Sequence, residues 1–267
     1  MSSSKPTGNA FYTNGALPSP PDNRDWLAEQ VYTKNAKGKK SARVIIPPNL
    51  DLRLDLQPIK NQGKFPTCVA QVAACMKEFQ ENIDVGLNKS LSVQYVYNHR
   101  SNYPADGMYG RDAMEILKTK GICRESVFAY ESTQLPDQIP DSVRTEALRY
   151  TIEGYAKVET IDGLKESLVL NGPCYIAFPC YNYGTRFWIQ SGVDVLLGGH
   201  AVTVIGYNEK GFILRNSWGE SWGVSGYTTY PYEDWNAHWE IWTAIDAPSP
   251  NIEYEDDKNK CSKCTII

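Results

Sequence analysis

Cys68 is the side chain whose setting most strongly indicates catalysis. It lies in the stretch 61–74, where a Pro-containing loop gives way to a run of small residues, so we expect its sulfur at the first turn of a helix. The N–H groups and the positive dipole end of a helix N-terminus favour the thiolate over the thiol, and the thiolate is the nucleophile. Gln62 lies just upstream and carries an amide that could face the group that the sulfur attacks. The stretch therefore predicts nucleophilic catalysis by Cys68.

A thiol nucleophile needs a base, and the chain has three histidines, His99, His200 and His238. His200 lies in 198–204, Gly-Gly-His-Ala-Val-Thr-Val, at the start of a predicted buried strand, where an imidazole can be held at the edge of a cleft. His99 follows a predicted helix and His238 lies in a Trp-rich loop, so we interpret both as surface or packing residues. Asn216 ends the next predicted strand and could accept from one imidazole nitrogen, which leaves the other for the sulfur.

Helices are expected to position the nucleophile. Apolar residues at steps of three and four start beside Cys68 and predict a helix with one buried face. These residues are Val69, Val72, Met76, Phe79 and Ile83. Further helices are predicted over 91–99 from Ser90, over 112–120 up to Gly121, and over 161–170 from Thr160 or Asp162.

After Pro173 the pattern changes to short strands separated by glycine-rich turns. The predicted strands are 175–178, 201–207, 212–215, 227–230 and 240–245. A mainly helical half followed by a mainly β half predicts an α+β fold with two lobes. The cleft between the lobes would have Cys68 on one wall.

Composition excludes some classes of partner. The 267 residues are 42% hydrophobic and 12% aromatic, enough for a packed core, and the net charge of −4 gives no basic surface for nucleic acid or an anionic membrane. The start of the chain lacks the apolar region of a secretory signal, and no run of 18 apolar residues occurs. Seven cysteines is an odd number that argues against a fully paired disulfide framework, so we expect a reducing compartment inside a cell or a virion.

Residues 1–45 have the composition of an arm or pro-segment. Prolines punctuate its first part, and the second part is Lys-rich. The segment 16–26 should run extended, because proline fixes its own φ and pushes the preceding residue out of the helical region. Two interpretations remain open and are compatible. The arm packs across the domain surface, or it lies over the active-site groove and inhibits until the Lys-rich stretch is cut or displaced.

The last segment, 248–267, is predicted to be an acidic tail, and it closes with Cys261-Ser-Lys-Cys264-Thr-Ile-Ile. Cys264 with two following residues and a terminal Ile has the outline of a prenylation box, and Cys261-x-x-Cys264 has half the spacing of a zinc site. No second cysteine pair has suitable spacing, and Ile is not among the usual terminal residues of the box. We therefore expect neither a lipid anchor nor a metal ion there.

Taken in order, these motifs resemble a papain-like cysteine peptidase from about residue 46 to residue 245. The matching elements are Gln62-Gly63, Cys68, Gly199-His200-Ala201-Val202, Gly206-Tyr207 and Asn216-Ser217-Trp218-Gly219-x-x-Trp222-Gly223-x-x-Gly226-Tyr227. His200 and Asn216 follow Cys68 by about 130 to 150 residues, which is the spacing of that family. The resemblance implies a peptidase domain over 46–247, with an N-terminal helical lobe, a C-terminal antiparallel barrel-like β lobe, and the active site between them.

The resemblance also implies roles for individual residues. Cys68 would be the nucleophile, His200 the base and later the acid, and Asn216 the group that orients the imidazole. Gln62 and the backbone N–H of Cys68 would form the oxyanion hole. The supporting and substrate-binding residues would be Trp218 over the His200–Asn216 pair, Trp222 on the leaving-group side, Gly107 and Met108 for main-chain contacts, and Tyr109, Ala177 and Gly198 around the specificity pocket. The expected substrates are proteins or peptides, cleaved as by an endopeptidase, without a metal or organic cofactor.

The chain departs from the family in three places. Phe-Pro-Thr-Cys-Val at 65–69 replaces the usual Cys-Gly-Ser-Cys-Trp, so a familiar disulfide partner and an aromatic residue are missing. Asp106-Gly107-Met108 lacks the usual pair of glycines. The 45 N-terminal residues are too few for the common helical prodomain. With Pro-Asp-Asn-Arg-Asp at 21–25, they resemble the short forms of bacteria and large DNA viruses.

Two alternatives to hydrolysis remain open at this stage. The altered residues around Cys68 would also fit a catalytically inactive papain-fold protein with a binding or structural role. A related acyl transferase would use the same nucleophile and pass the acyl group to an amine in place of water.

Overall fold

The computed structural model describes residues 14–35, 44–132 and 135–246. Most of the Lys-rich part of the arm, and the predicted tail with Cys261 and Cys264, lie outside these ranges. No helix in the described part of the chain is long and apolar enough to cross a lipid bilayer.

Helices are concentrated in the first two thirds of the chain. They are α1 (Ala28–Asn35), α2 (Cys68–Val85), α3 (Val93–Asn98), α4 (Gly110–Thr119), α5 (Asp141–Ala147) and α6 (Ile161–Asn171). Short 3-10 helices cover Arg53–Asp55, Pro136–Gln138 and Tyr232–Asp234.

The strands form one sheet. They are β1 (Ala16–Leu17), β2 (Leu50–Asp51), β3 (Met108–Tyr109), β4 (Ile152–Lys157), β5 (Cys174–Cys180), β6 (Gly198–Asn208), β7 (Gly211–Arg215), β8 (Tyr227–Pro231) and β9 (Glu240–Asp246). The order is β3-β1-β6-β5-β9-β4, with β2 and β7 also pairing with β6 and β8 pairing with β7. The sheet is open and branches at the long strand β6. The predicted α+β fold is confirmed.

Two cores lie on opposite faces of β5 and β6, because successive side chains of a strand point to opposite sides. Tyr175 and Ala201 face a core built with α2, α3 and α4. Ile176 and Val202 face a second core with α1, α6, β7 and β8. Both faces of these strands are therefore buried, and the first core fixes α2 against β6.

Helix α2 begins at Cys68 as predicted, but the expectation of one buried face is wrong. Every residue from Cys68 to Glu81 is buried, and Ile83, predicted for the buried face, is 57% exposed. The helix is central, with packing partners on several sides, so its polar residues must find partners inside. Buried Lys77 pairs with Glu81 at 2.8 Å and with Asp246 at 2.5 Å. A helix held on all sides gives Cys68 a rigid support.

Helix α3 begins later than predicted, and the cap is Ser92 in place of Ser90. The Ser92 hydroxyl accepts from the Tyr95 N–H at 3.0 Å, which satisfies one of the free donors of the first turn. For α6, the prediction of a Thr160 cap is correct, because its hydroxyl accepts from the Gly163 N–H at 2.9 Å.

The N-terminal arm contains a helix that the sequence did not indicate. After the extended residues of β1, α1 packs on the β lobe with Ala28 fully buried in the second core. Leu27 forms a bridge with Lys157 of β4, and the Tyr32 hydroxyl donates to Ser167 at 2.9 Å. This part of the arm is built into the domain.

Candidate active site

Cys68 is the first residue of α2, and its thiol is fully buried. Burial raises the pKa of the thiol, whereas the backbone N–H groups of Ala201, Gly15 and Val69 and its own N–H lie close enough to the sulfur to oppose this rise. The desolvation effect is the larger, so the thiol is favoured over the thiolate while the site is covered. The backbone N–H groups at the start of α2 do lower the pKa of Cys68, as expected from the sequence, but burial raises it by more.

His200 is the third residue of β6 and bonds to Asn216 at the end of β7. Its Nε2 donates to Asn216 Oδ1 at 2.7 Å, and its Nδ1 has no hydrogen-bond partner among the described residues. Burial lowers the pKa of His200 to about 4, and Asn216 opposes this shift. The next residue, Ala201, directs its N–H to the sulfur. The structure therefore pairs the predicted imidazole with the predicted carboxamide, places the backbone N–H that follows His200 near the predicted sulfur, and leaves the imidazole neutral.

Aromatic rings cover the imidazole of His200. Trp218 stacks on His200 with ring centroids 4.2 Å apart and an interplanar angle of 22°, and Phe187 meets His200 edge-on at 5.3 Å. Trp222 packs edge-on against Trp218 at 5.5 Å, and its indole N–H donates to the Tyr183 carbonyl. The low dielectric of this aromatic wall strengthens the His200–Asn216 hydrogen bond.

Gln62 lies beside the nucleophile, and its amide is oriented by Ser217. The Ser217 hydroxyl donates to Gln62 Oε1 at 2.7 Å, which turns Nε2 toward the loop before Cys68, where it donates to the Phe65 carbonyl at 3.0 Å. The Gln62 backbone N–H donates to the Ser217 carbonyl at 2.8 Å. The Gln62 amide is therefore fixed against the loop that leads into α2.

Tyr130 supports this loop and was missed by sequence reasoning. Its hydroxyl donates to the Gln62 carbonyl at 3.0 Å and bonds to the Thr67 hydroxyl at 2.7 Å. Thr67 stands at the N-cap position of α2 but makes no side-chain cap bond, so its hydroxyl is available to Tyr130. A single tyrosine in a loop belongs to no periodic pattern and no spaced motif, so no signal in the sequence indicated this role.

The arm occupies the groove between β3 and the start of β6. Ala16 and Leu17 pair in parallel with Met108 and Tyr109, and Ala16 also lies opposite Gly199. The Met108 N–H donates to the Gly15 carbonyl at 2.8 Å. The residues expected to contact substrate through their main chain therefore contact residues 14–17 of the same chain.

The other predicted pocket residues line or underlie this groove. Gly107 has φ +83°, and a Cβ there would come within 3.0 Å of the Gly15 carbonyl oxygen. Gly198 has φ +133°, and its Cβ would meet Asn14 at 3.1 Å. Ala177 is fully buried between Ala201 and Glu240. The absence of a Cβ at Gly107 and Gly198 leaves the room that the extended chain of residues 14–17 occupies.

His99 and His238 bond to residues other than Cys68, His200, Asn216 and Gln62, which agrees with their interpretation as surface or packing residues. His99 Nδ1 bonds to the Tyr95 carbonyl, and His238 Nδ1 bonds to the Tyr230 hydroxyl. Within residues 14–35, 44–132 and 135–246, no cluster of three or more His, Cys, Asp or Glu side chains could hold a metal ion. The five cysteines of these ranges are free thiols.

Comparison with known proteins identifies the family. Residues 46–244 match the family described as papain family cysteine protease. The uncharacterized peptidase C1-like protein L477 of Acanthamoeba polyphaga mimivirus is 26% identical over 279 residues, covering 91% of this chain and 89% of the relative. The senescence-specific cysteine protease SAG12 of Arabidopsis thaliana is 31% identical over 197 residues, covering 68% of this chain and 56% of the relative.

A solved structure shares the fold. The crystal structure of xylellain, a cysteine protease from Xylella fastidiosa, superposes with a TM-score of 0.72 at 24% identity and covers 88% of this chain and 97% of that chain. The family match spans most of the chain, and the fold and the recognised motifs agree with it. The chain therefore belongs to the papain family of cysteine proteases.

Proposed function

We propose that this protein hydrolyses peptide bonds of proteins or peptides through an acyl-enzyme formed on Cys68. The observation that supports the proposal is that the N–H of Ala201, which follows the Asn216-bonded His200, lies near the Cys68 sulfur, while the Gln62 amide is bonded to the loop that leads into α2. Cys68, the His200–Asn216 pair and Gln62 each have a separate chemical task, and together they are sufficient for acyl transfer to water.

The first half-reaction forms the acyl-enzyme. The free Nδ1 of His200 accepts the thiol proton, and the thiolate adds to the substrate carbonyl. The oxygen of the tetrahedral intermediate gains negative charge and faces Gln62 Nε2 and the Cys68 N–H, which stabilise it. The C–N bond then breaks, and His200 protonates the leaving amine. Asn216 keeps the ring oriented by accepting from Nε2 throughout.

The second half-reaction releases the acid. His200 takes a proton from water, the hydroxide adds to the thioester carbonyl, and the C–S bond breaks. The same donors stabilise the second tetrahedral intermediate. An acyl transferase would differ at this step, because an amine would take the place of water.

The position of the arm supports an inhibitory role. The Gly15 N–H lies near the sulfur, β1 fills the groove, and both Cys68 and His200 are fully buried beneath it. Two further contacts hold the arm: Arg111 forms a bidentate pair with Asp25, and Ser19 donates to Glu240 through its N–H and its hydroxyl. A peptide could not reach the thiol without displacing residues 14–17.

The arm need not leave as a whole for the site to open. Helix α1 is built into the β lobe, so removal of residues 1–45 would take Ala28 from the second core and expose its neighbours. We therefore propose that activation displaces or cleaves the part in the groove while α1 stays bound. A chain that starts at Ile46 is a poor test of inhibition, because it also loses this packing.

Cleavage of a peptide library by the full chain tests the function, with Cys68→Ala as control and mass spectrometry of the products. We expect fragments with free carboxyl ends that disappear in Cys68→Ala. Products joined to an added amine would favour the acyl transferase. If neither the full chain nor a variant with a displaced arm gave any Cys68-dependent product, the catalytically inactive alternative would be correct.

A further inference from the structure

A small cavity of about 20 Å³ lies beside the amide of Asn216. Its lining includes Gln71, Glu78, Thr203, Arg215 and Asn216. This volume is enough for about one water molecule, and buried waters are held where two to four polar groups can bond to them. The cavity is therefore a candidate water site next to the group that orients His200.

Asn216 directs a free donor into this cavity. Its Oδ1 accepts from His200 Nε2 at 2.7 Å and from the Ser217 N–H at 2.8 Å. Two donors on one atom fix that atom as the oxygen, so the remaining amide atom is the nitrogen. This Nδ2 is buried and has no hydrogen-bond partner among the described residues, although an amide N–H deprived of water needs one.

Gln71 directs a free acceptor into the same cavity. It lies one turn after Cys68 on α2 and is 5% exposed, and it lines the cavity together with Asn216. Its Oε1 is buried and has no hydrogen-bond partner among the described residues.

We propose that Gln71 is a positioning residue that acts on Asn216 through a buried water in this cavity. The water accepts from Asn216 Nδ2 and donates to Gln71 Oε1, which satisfies both amides. A set of hydrogen bonds then runs from Gln71 through the water and Asn216 to His200. The first turn of α2, which carries Cys68, and the imidazole are thereby held in a fixed mutual orientation.

The first test is a crystal structure of the full chain at a resolution that shows ordered water. We expect one water within hydrogen-bond distance of both Asn216 Nδ2 and Gln71 Oε1. A dry cavity, or a water bonded to neither amide, would overturn the proposal. This test does not depend on peptidase activity, so its failure is distinguishable from failure of the proposed function, on which the kinetic tests rest.

The second test compares Gln71→Leu, Gln71→Glu and Gln80→Leu by their pH profiles for peptide hydrolysis. Leu removes the acceptor, so we expect a fall in kcat of about three- to tenfold, the equivalent of one hydrogen bond, with KM unchanged. The Glu variant keeps an acceptor and should recover most of the loss. Gln80 is equally buried on the same helix but donates to the Ala244 carbonyl, so Gln80→Leu should leave kcat and the profile unchanged.

The third test asks whether Gln71 acts through Asn216. In an Asn216→Ala background, Gln71→Leu should cause no further loss, because the group that it positions is gone. Full additivity of the two losses would contradict the proposal. So would an equal loss in Gln80→Leu, which would indicate a general effect on α2.

Discussion

The backbone N–H of Met108 donates to the carbonyl oxygen of Gly15 at 2.8 Å. The family resemblance assigns the Met108 N–H to substrate binding, and here the arm accepts a hydrogen bond from it. The Gly15 N–H also approaches the Cys68 sulfur, so one arm residue contacts both a groove donor and the proposed nucleophile. Weakening the Gly15 contacts should therefore open the site without removal of the arm.

Gly15→Ala should activate the full chain. A Cβ at Gly15 would come within 2.1 Å of the Pro66 carbonyl oxygen, so the arm must move away from the groove. Overpacking of this kind typically costs about 1 to 3 kcal/mol, which corresponds to a shift of about five- to hundredfold in the docking equilibrium. Initial rates of peptide cleavage measure the effect.

The matched control for this variant is Gly154→Ala, beside Trp26 of the same arm. There a Cβ would lie 3.9 Å from the Trp26 ring, an ordinary contact, so we expect the activity of the unmodified chain. Equal rates for Gly15→Ala, Gly154→Ala and the unmodified chain would exclude an inhibitory role for residues 14–17.

Asp25→Asn should activate the chain less strongly. The change breaks the part-buried, bidentate pair with Arg111 and should weaken docking by about 1 to 2 kcal/mol. Asp22→Asn is the control, because Asp22 forms its direct ion pair with Arg24 inside the arm and interacts with Arg111 only through space. Cleavage rates at low and high salt should show activation only for Asp25→Asn. If both variants behaved alike, net charge on the arm would explain the effect better than the Arg111 contact.

Ser217→Ala should lower turnover while peptide binding is retained. Without the Ser217 hydroxyl, the Gln62 Oε1 loses its donor and the amide is held only by the bond from Nε2 to the Phe65 carbonyl, so its orientation is less tightly fixed. We expect a loss in kcat of up to about tenfold, compared with about 10²- to 10³-fold for Gln62→Ala, which removes the donor. Ser217→Thr keeps a hydroxyl and should retain activity. A loss in Ser217→Ala confined to KM would contradict this role.

Acidification should release the arm. With the arm docked, burial lowers the pKa of His200 from 6.5 to about 4. In a Cys68→Ala chain no thiol proton can move to the ring, and a released arm lets water reach it, so the open form of this variant binds more protons between about pH 4 and pH 6.5. Arm docking is therefore most stable above this range and weakens as pH falls through it.

Hydrogen exchange of the amides of residues 14–19, corrected for intrinsic exchange, measures this pH dependence. In the Cys68→Ala chain we expect protection at pH 7 to fall as pH approaches 4, and to fall less when His200→Gln is added. Protection that is constant or that rises on acidification would show that His200 does not control docking.

Local chemistry explains what the sequence alone could predict. Cys68 at a helix start, His200 at a strand start and Asn216 at the next strand end are each marked by neighbouring residues, and the structure has all three at these positions with His200 bonded to Asn216. The Thr160 cap is equally local. Such features need no knowledge of the partner segment, which is why the main helices and most strands were found with errors of a few residues at their ends.

The elements that the sequence did not predict are stabilised by residues that lie far away in the chain. Strand β1 is two residues long and exists because β3 and β6 flank it, and α1 is stable because α6 and β4 cover it. Strand β4 was also missed, since its burial alternates but Glu153, Gly154 and Lys157 weaken the apolar pattern. The exposure of Ile83 is likewise decided by which elements pack against α2. The periodicity of apolar residues does not show which elements will pack against a helix.

The reactivity of Cys68 at pH 5.5 tests the central claim most directly. Alkylation by a small thiol reagent should be measured in the full chain, in Gly15→Ala, and in Gly15→Ala with His200→Ala, and the site mapped by mass spectrometry. We predict slow reaction in the full chain, reaction faster than free cysteine in Gly15→Ala, and loss of this advantage without His200. A Cys68 that reacts no faster than free cysteine in all three would contradict a thiolate activated by His200.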